Sequence, residues 1–162
     1  CALPIWPADV ESMEVRACME VKHLPNYPVP ALGLESKFSA EYAAAVGLTD
    51  RAGAMQQFSD ARVADPALIE LTRRVKLIYD PELGSFQIRM KVRTRDGREL
   101  AHFIPVQKGK HLNPMSWDEL GAKFSANAAL VLPAERAAPL LDMIAGIEQL
   151  DDVRRLAALC RP

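Results

Sequence analysis

Two stretches of this sequence carry side chains that can hold a small anion. The first is "ESKFSAEYAAAVGL", where Lys37, Ser39 and Tyr42 sit among small and apolar residues. The second is "KGKHLNP", where Lys108, Lys110, His111 and Asn113 crowd around Gly109. Ammonium groups, hydroxyls and amides bind carboxylates through charge-assisted hydrogen bonds. Each stretch also has a plainer reading. The first can be a core helix with Phe38, Tyr42 and Val46 at spacing four and a Lys37–Glu41 pair on its surface. The second can be a solvated loop.

Other chemistries find little support. His23, His102 and His111 have no histidine, cysteine or carboxylate at a metal-ligand spacing. There is no GxSxG, and no local arrangement ties a cysteine to a histidine. The 8 glycines form neither GxGxxG nor GxxxxGK[ST], so no phosphate loop is present. The paired carboxylates Asp118-Glu119 and Asp151-Asp152 fall at predicted helix starts, where negative charge suits the dipole. No complete set of acid, base and nucleophile assembles, and neither catalytic nor metal-binding residues are assigned.

The elements that must position these groups follow from periodicity. "MEVRACMEVKHL" alternates apolar Met13, Val15, Ala17, Met19 and Val21 with Glu14, Arg16, Cys18, Glu20 and Lys22, which predicts a half-buried strand. Upstream, Cys1 to Val10 reads as irregular, with Pro4 and Pro7. Pro25, Pro28 and Pro30 make a stiff connector. A helix is predicted over Ser36 to Val46, closed by Gly47, then a short helical piece ending near Phe58. Asp65 and Pro66 start a helix whose buried stripe is Leu68, Leu71 and Val75. Lys76 to Tyr79 reads as a short strand. A hairpin runs from Phe86 to Val92, turns at Asp96-Gly97 and returns over Leu100 to Ile104. Ser116 and Glu119 form a capping box ahead of a face of Trp117, Leu120, Phe124, Ala128 and Val131. Further helical stripes are Leu140, Leu141, Ile144 and Ile147, then Val153, Leu156 and Leu159. Pro139 is expected in the first turn of its helix.

These pieces predict a single α+β domain over residues 1–162, with a small, mostly antiparallel sheet of three to four strands covered on one face by about five helices. Twenty basic groups face 21 acidic ones, a balance that argues against a nucleic-acid or membrane surface. Cys1, Cys18 and Cys160 are odd in number and widely spaced, which points to a reducing, cytoplasmic setting without a disulfide framework. No apolar run approaches the ~20 residues that span a bilayer. The first residue is Cys, so the chain is expected to be part of a longer protein.

The order of the segments resembles the C-terminal domain of the MmgE/PrpD (2-methylcitrate dehydratase-like) family. "ESKFSAEYAAAVGL", "QFSDARVADPALIELTRRVKLIYDPEL", "VRTRDGREL", "KGKHLNPMSWDELGAKFSANA" and "IEQLDDVRRLAALC" follow one another as in that family. The resemblance implies a lid over a large all-helical N-terminal domain, absent here, in a homodimeric enzyme of propionate-type catabolism. It implies a lyase or isomerase acting on small polycarboxylates with no metal or organic cofactor. It also implies that this chain alone is inactive, since most catalytic groups lie outside the lid. Lid contacts to substrate would then come from Lys37, Ser39 and Tyr42, from His23 and Tyr27 in the connector, and from Lys108, His111 and Asn113 in the loop. The alternatives are a stand-alone module that binds a small anionic metabolite, or a structural or dimerisation domain.

Overall fold

The computed structural model describes residues 5–161; Cys1 and Pro4 lie outside them. Two compact units divide the chain, residues 1–113 and 114–162.

The first unit is built on a four-stranded mixed sheet. Its strands are β1 (Val10–Cys18), β2 (Val75–Asp80), β3 (Ile88–Thr94) and β4 (Glu99–Ile104), in the order β2-β1-β3-β4. β1 runs parallel to β2 and antiparallel to β3, and β3 antiparallel to β4. A bulge between Val10 and Ser12 resets the alternation of β1, so Val10 and Met13, three apart, are both buried. Glu11 is left exposed and pairs with Arg93 at 3.0 Å. The exposed face also carries a Lys91–Glu99 pair at 2.9 Å and Arg89 stacked on Phe103. Such surface pairs contribute little to stability. The β3–β4 turn closes with Gly97 N–H donating to the Thr94 carbonyl, with Gly97 at φ 85° where glycine is favoured.

Four helices complete this unit: α1 (Gly33–Ser36), α2 (Ala40–Asp50), α3 (Asp60–Val63) and α4 (Pro66–Thr72). Val10, Met13, Val15, Tyr42, Val46, Val63, Leu68, Leu71 and Val92 form one core between the sheet and these helices. Asp65 caps α4 by accepting from the Ala67 and Leu68 N–H groups, as its sequence predicts. Gly33 is required by a close approach: a β-carbon there would lie 2.4 Å from the Phe58 carbonyl oxygen. Its N–H donates to Asp60 at 2.6 Å. Gly33→Ala is therefore expected to cost about 1–3 kcal/mol, read as a lower urea midpoint.

Arg62 ties three helices. Its guanidinium donates to both carboxylate oxygens of Asp50 at the end of α2 and to Asp65 at the α4 cap. Asp50 is held below the ordinary carboxylate range chiefly by Arg62. Asp65 is held below it chiefly by the Ala67 N–H, with Arg62 adding to the effect. A carboxyl depressed on folding stabilises the fold above its unfolded pKa, about 4 for Asp. That contribution is lost as pH falls through the folded value. Urea midpoints should hold between pH 7 and about 5 and drop below about 4. Arg62→Met should lower the midpoint at pH 7 and flatten the acid-side drop.

Several sequence expectations shift. The strand predicted through Leu24 stops at Cys18, and a 3-10 turn over Met19–His23 follows. Cys18, on the polar side of the alternation, is 2% exposed, while Met19 is 42% exposed. Cys18 and Cys160 are both free thiols. The helix predicted over Ser36 to Val46 is broken by Lys37–Ser39 into α1 and α2. Gly47 lies inside α2, and the left-handed cap is Arg51 at φ 52°. Val75 is buried as the first residue of β2, because α4 ends at Thr72. Phe86 lies outside β3, with φ 64°.

The second unit holds α5 (Trp117–Ala128), α6 (Ala134–Ala145) and α7 (Arg154–Leu159). The Ser116/Glu119 capping box forms as expected. Gly121 brings α5 close to Leu141 of α6. Pro139 sits inside α6 rather than in its first turn, where the missing N–H leaves the Glu135 carbonyl without its helical donor. On α5 the predicted face is only partly covered: Ala128 is buried, while Trp117 and Leu120 are exposed. Val131 lies beyond the helix end and is exposed.

Candidate functional site

The break between α1 and α2 shapes the site. Ser39 takes an extended conformation and caps α2 by accepting the Tyr42 N–H at 3.0 Å. Lys37 is left at the end of α1, exposed, its side chain with no hydrogen-bond or ion-pair partner among the described residues. The expected Lys37–Glu41 surface pair does not form. Glu41 is buried, and its two carboxylate oxygens accept from the Asn26 side-chain amide at 3.3 and 3.0 Å. Asn26 in turn accepts the Ala40 N–H at 3.1 Å. That amide pins the proline-rich connector to the first turn of α2.

Beside this junction a cleft of about 310 Å³ opens within the first unit. The end of β1, the 3-10 turn after it, the start of α2, and residues of β2 and β3 all line it. Most of its wall is apolar. Its polar members are Asn26, Lys37, Ser39, Gln87 and Gln107, with the Tyr79 side chain beside them. Gln87 accepts the Gly84 N–H at 2.9 Å through Oε1. The Oε1 of Gln107 is enclosed and has no hydrogen-bond partner among the described residues.

Of the residues singled out by sequence, Lys37 and Ser39 line the cleft. Tyr42 belongs to the core: it is 2% exposed, its ring meets Phe58, and its hydroxyl donates to the Gln57 carbonyl. Burial pushes its phenol above the ordinary range. Phe38, predicted to share that buried stripe, is 48% exposed and lines the cleft. His23 and Tyr27 are exposed and stand outside the cleft lining. In the loop, Asn113 is occupied locally. Its amide donates to the Val106 carbonyl at 3.0 Å, and its backbone bonds to Gly109 and Lys110. Lys108 and His111 are exposed and do not line the cleft. Lys110 stacks on the Phe86 ring, 3.8 Å from its centre.

Asn26, Gln87 and Gln107 escaped sequence reading because neutral amides carry no spacing signal. Phe86, a strand residue by sequence pattern, stands in the turn before β3. Among the described residues, no three His, Cys, Asp or Glu side chains converge as a metal site would need. No helix among them is long and apolar enough to cross a membrane.

Comparison with known proteins places this geometry. The model of the MmgE/PrpD C-terminal domain matches residues 2–149. The chain belongs to the MmgE/PrpD family. Within it, the chain is similar to cis-aconitate decarboxylase of Homo sapiens, 29% identical over 140 residues. That alignment covers 84% of this chain and 29% of the relative. The Mus musculus cis-aconitate decarboxylase is 26% identical over 161 residues, covering 97% of the chain and 33% of the relative. This MmgE/PrpD chain thus spans about a third of the length of these relatives. The α+β class expected from the sequence is the one observed.

Proposed function

We propose that this chain is the substrate-covering part of a cofactor-independent MmgE/PrpD lyase or isomerase that acts on a small carboxylate. One observation carries the reading. Within a chain that the family model matches, the Lys37 side chain stands at the cleft with no partner among the described residues. An ammonium in a cleft that excludes water binds a carboxylate more strongly than one in bulk solvent. The catalytic acid and base would come from a helical domain of the same parent, and this chain would bind and enclose the substrate.

The relatives are cis-aconitate decarboxylases, so cis-aconitate is the first substrate to assay and 2-methylcitrate the second. The test uses the full-length parent. Removing this segment should abolish turnover, and Lys37→Ala should weaken it. Full activity after either change sinks the reading. A binding module that works without a second domain is the runner-up, favoured by a cleft whose lining comes wholly from residues 15–107.

A further inference from the structure

We infer that Lys110 is a second cation of the substrate site, the residue that makes the cleft prefer a polycarboxylate over a monocarboxylate. The inference rests on the enzyme reading for its substrate class and adds a specificity-determining side chain outside the cleft lining. Among the described residues that line the cleft, Lys37 is the cation and none is a carboxylate. One ammonium satisfies one carboxylate. Most of the remaining wall is apolar, with Val15, Leu24, Phe38, Leu77 and Phe86 in it. A second carboxylate left unpaired against such groups is costly. A polycarboxylate therefore needs another cation at the wall.

Lys110 is placed to be that cation. Its ammonium lies 3.8 Å from the centre of the Phe86 ring, and Phe86 is part of the wall. The Lys110 side chain is exposed and has no hydrogen-bond or ion-pair partner among the described residues. Stacking takes one side of the ammonium and leaves N–H donors for an anion. Stacking of an exposed cation is also the weaker contact, and a hydrogen bond to a carboxylate exceeds it.

Both partners of the stack are held in place. Lys110 sits on a tight turn: its N–H donates to the Gln107 carbonyl at 3.3 Å, and its carbonyl accepts the Asn113 N–H at 2.9 Å. Gly109 donates to the Asn113 carbonyl at 2.8 Å and adopts φ 92°, where glycine is favoured. The Asn113 side chain fastens this turn to the Val106 carbonyl. Gln107, where the turn begins, itself lines the cleft. Phe86 is fixed separately. It adopts φ 64°, unusual for a bulky residue. The Gln87 N–H donates to the Gly84 carbonyl around it at 3.0 Å. The Ser85 hydroxyl donates to the Glu20 carboxylate at 2.6 and 2.7 Å, which also occupies that acidic group. Backbone strain of this kind clusters at ligand sites; here it sets an aromatic ring on the cleft wall and under an ammonium.

NMR titration of the 162-residue chain with cis-aconitate and with crotonate, an unsaturated monocarboxylate, tests the assignment. Cis-aconitate should bind more tightly. Lys110→Met keeps an unbranched chain on the ring and loses the charge. It should weaken cis-aconitate about tenfold, as loss of one charge-assisted contact does. Crotonate should be unaffected by it, whereas Lys37→Met should weaken both acids. In the full-length parent, Lys110→Met should raise KM for cis-aconitate about tenfold and spare kcat. Lys110→Arg should restore most of that loss, and the urea midpoint should stay unchanged in both variants. Crotonate binding as tightly as cis-aconitate, a folded Lys110→Met chain with unchanged cis-aconitate affinity, or equal losses for the two acids would each overturn the inference. A parent slowed by Lys37→Ala and indifferent to Lys110→Met overturns this inference alone. Lys110-dependent binding of cis-aconitate beside a parent unaffected by loss of this segment overturns the enzyme reading alone.

Discussion

Tyr42→Ala is expected to destabilise the chain by about 3–5 kcal/mol, the range for deleting a buried aromatic side chain. The ring is 2% exposed among Met13, Val46 and Leu68, and stands 5.9 Å from the Phe58 ring. Removing it takes away packing on both sides and leaves a cavity. Tyr42→Phe keeps the ring and loses only the bond to the Gln57 carbonyl, so it should cost about 1 kcal/mol. Urea denaturation of the two variants reads the difference. A ligand contact on an exposed helix face would behave otherwise, since surface substitutions usually fall within about 0.5 kcal/mol. A small loss for Tyr42→Ala would move this side chain out of the core and back among the cleft residues.

Lys37→Ala is expected to have the opposite signature. The Lys37 side chain is exposed and has no partner among the described residues, so its removal should leave the urea midpoint nearly unchanged. Turnover by the full-length parent should fall. A hydrogen bond to a charged group is worth about 1.5–3 kcal/mol, and each ~1.4 kcal/mol is tenfold. The expected loss in kcat/KM is thus about ten- to a hundredfold. A contact kept equally in ground and transition state raises KM and spares kcat. Lys37→Arg keeps the charge and should recover part of the loss.

The hairpin and the α4 start were legible because single residues dictate them. Asp96-Gly97 needs a glycine at positive φ, and Asp65-Pro66 joins a cap to a fixed first turn. The end of β1 was not legible. Met19 and Val21 continue the alternation, but the chain turns after Cys18 and reverses which side is covered. The α1–α2 break hides in a run of good helix formers. Its cause is Ser39, whose side chain competes as a cap for α2. That break also takes Lys37 out of the helix that carries Tyr42. In the site, charged and hydroxyl groups drew notice in sequence, while Asn26, Gln87 and Gln107 did not. Amides gain meaning only when a fold brings them to a shared wall. Gln107 shows this best, since its oxygen is enclosed by the fold and has no partner among the described residues.

The most direct test of the account is the steady-state kinetics of Lys37→Ala in the full-length parent on cis-aconitate, beside a urea melt of the same variant. A ten- to hundredfold fall in kcat/KM is expected, with the midpoint unchanged. Wild-type kcat/KM in a folded variant would contradict it.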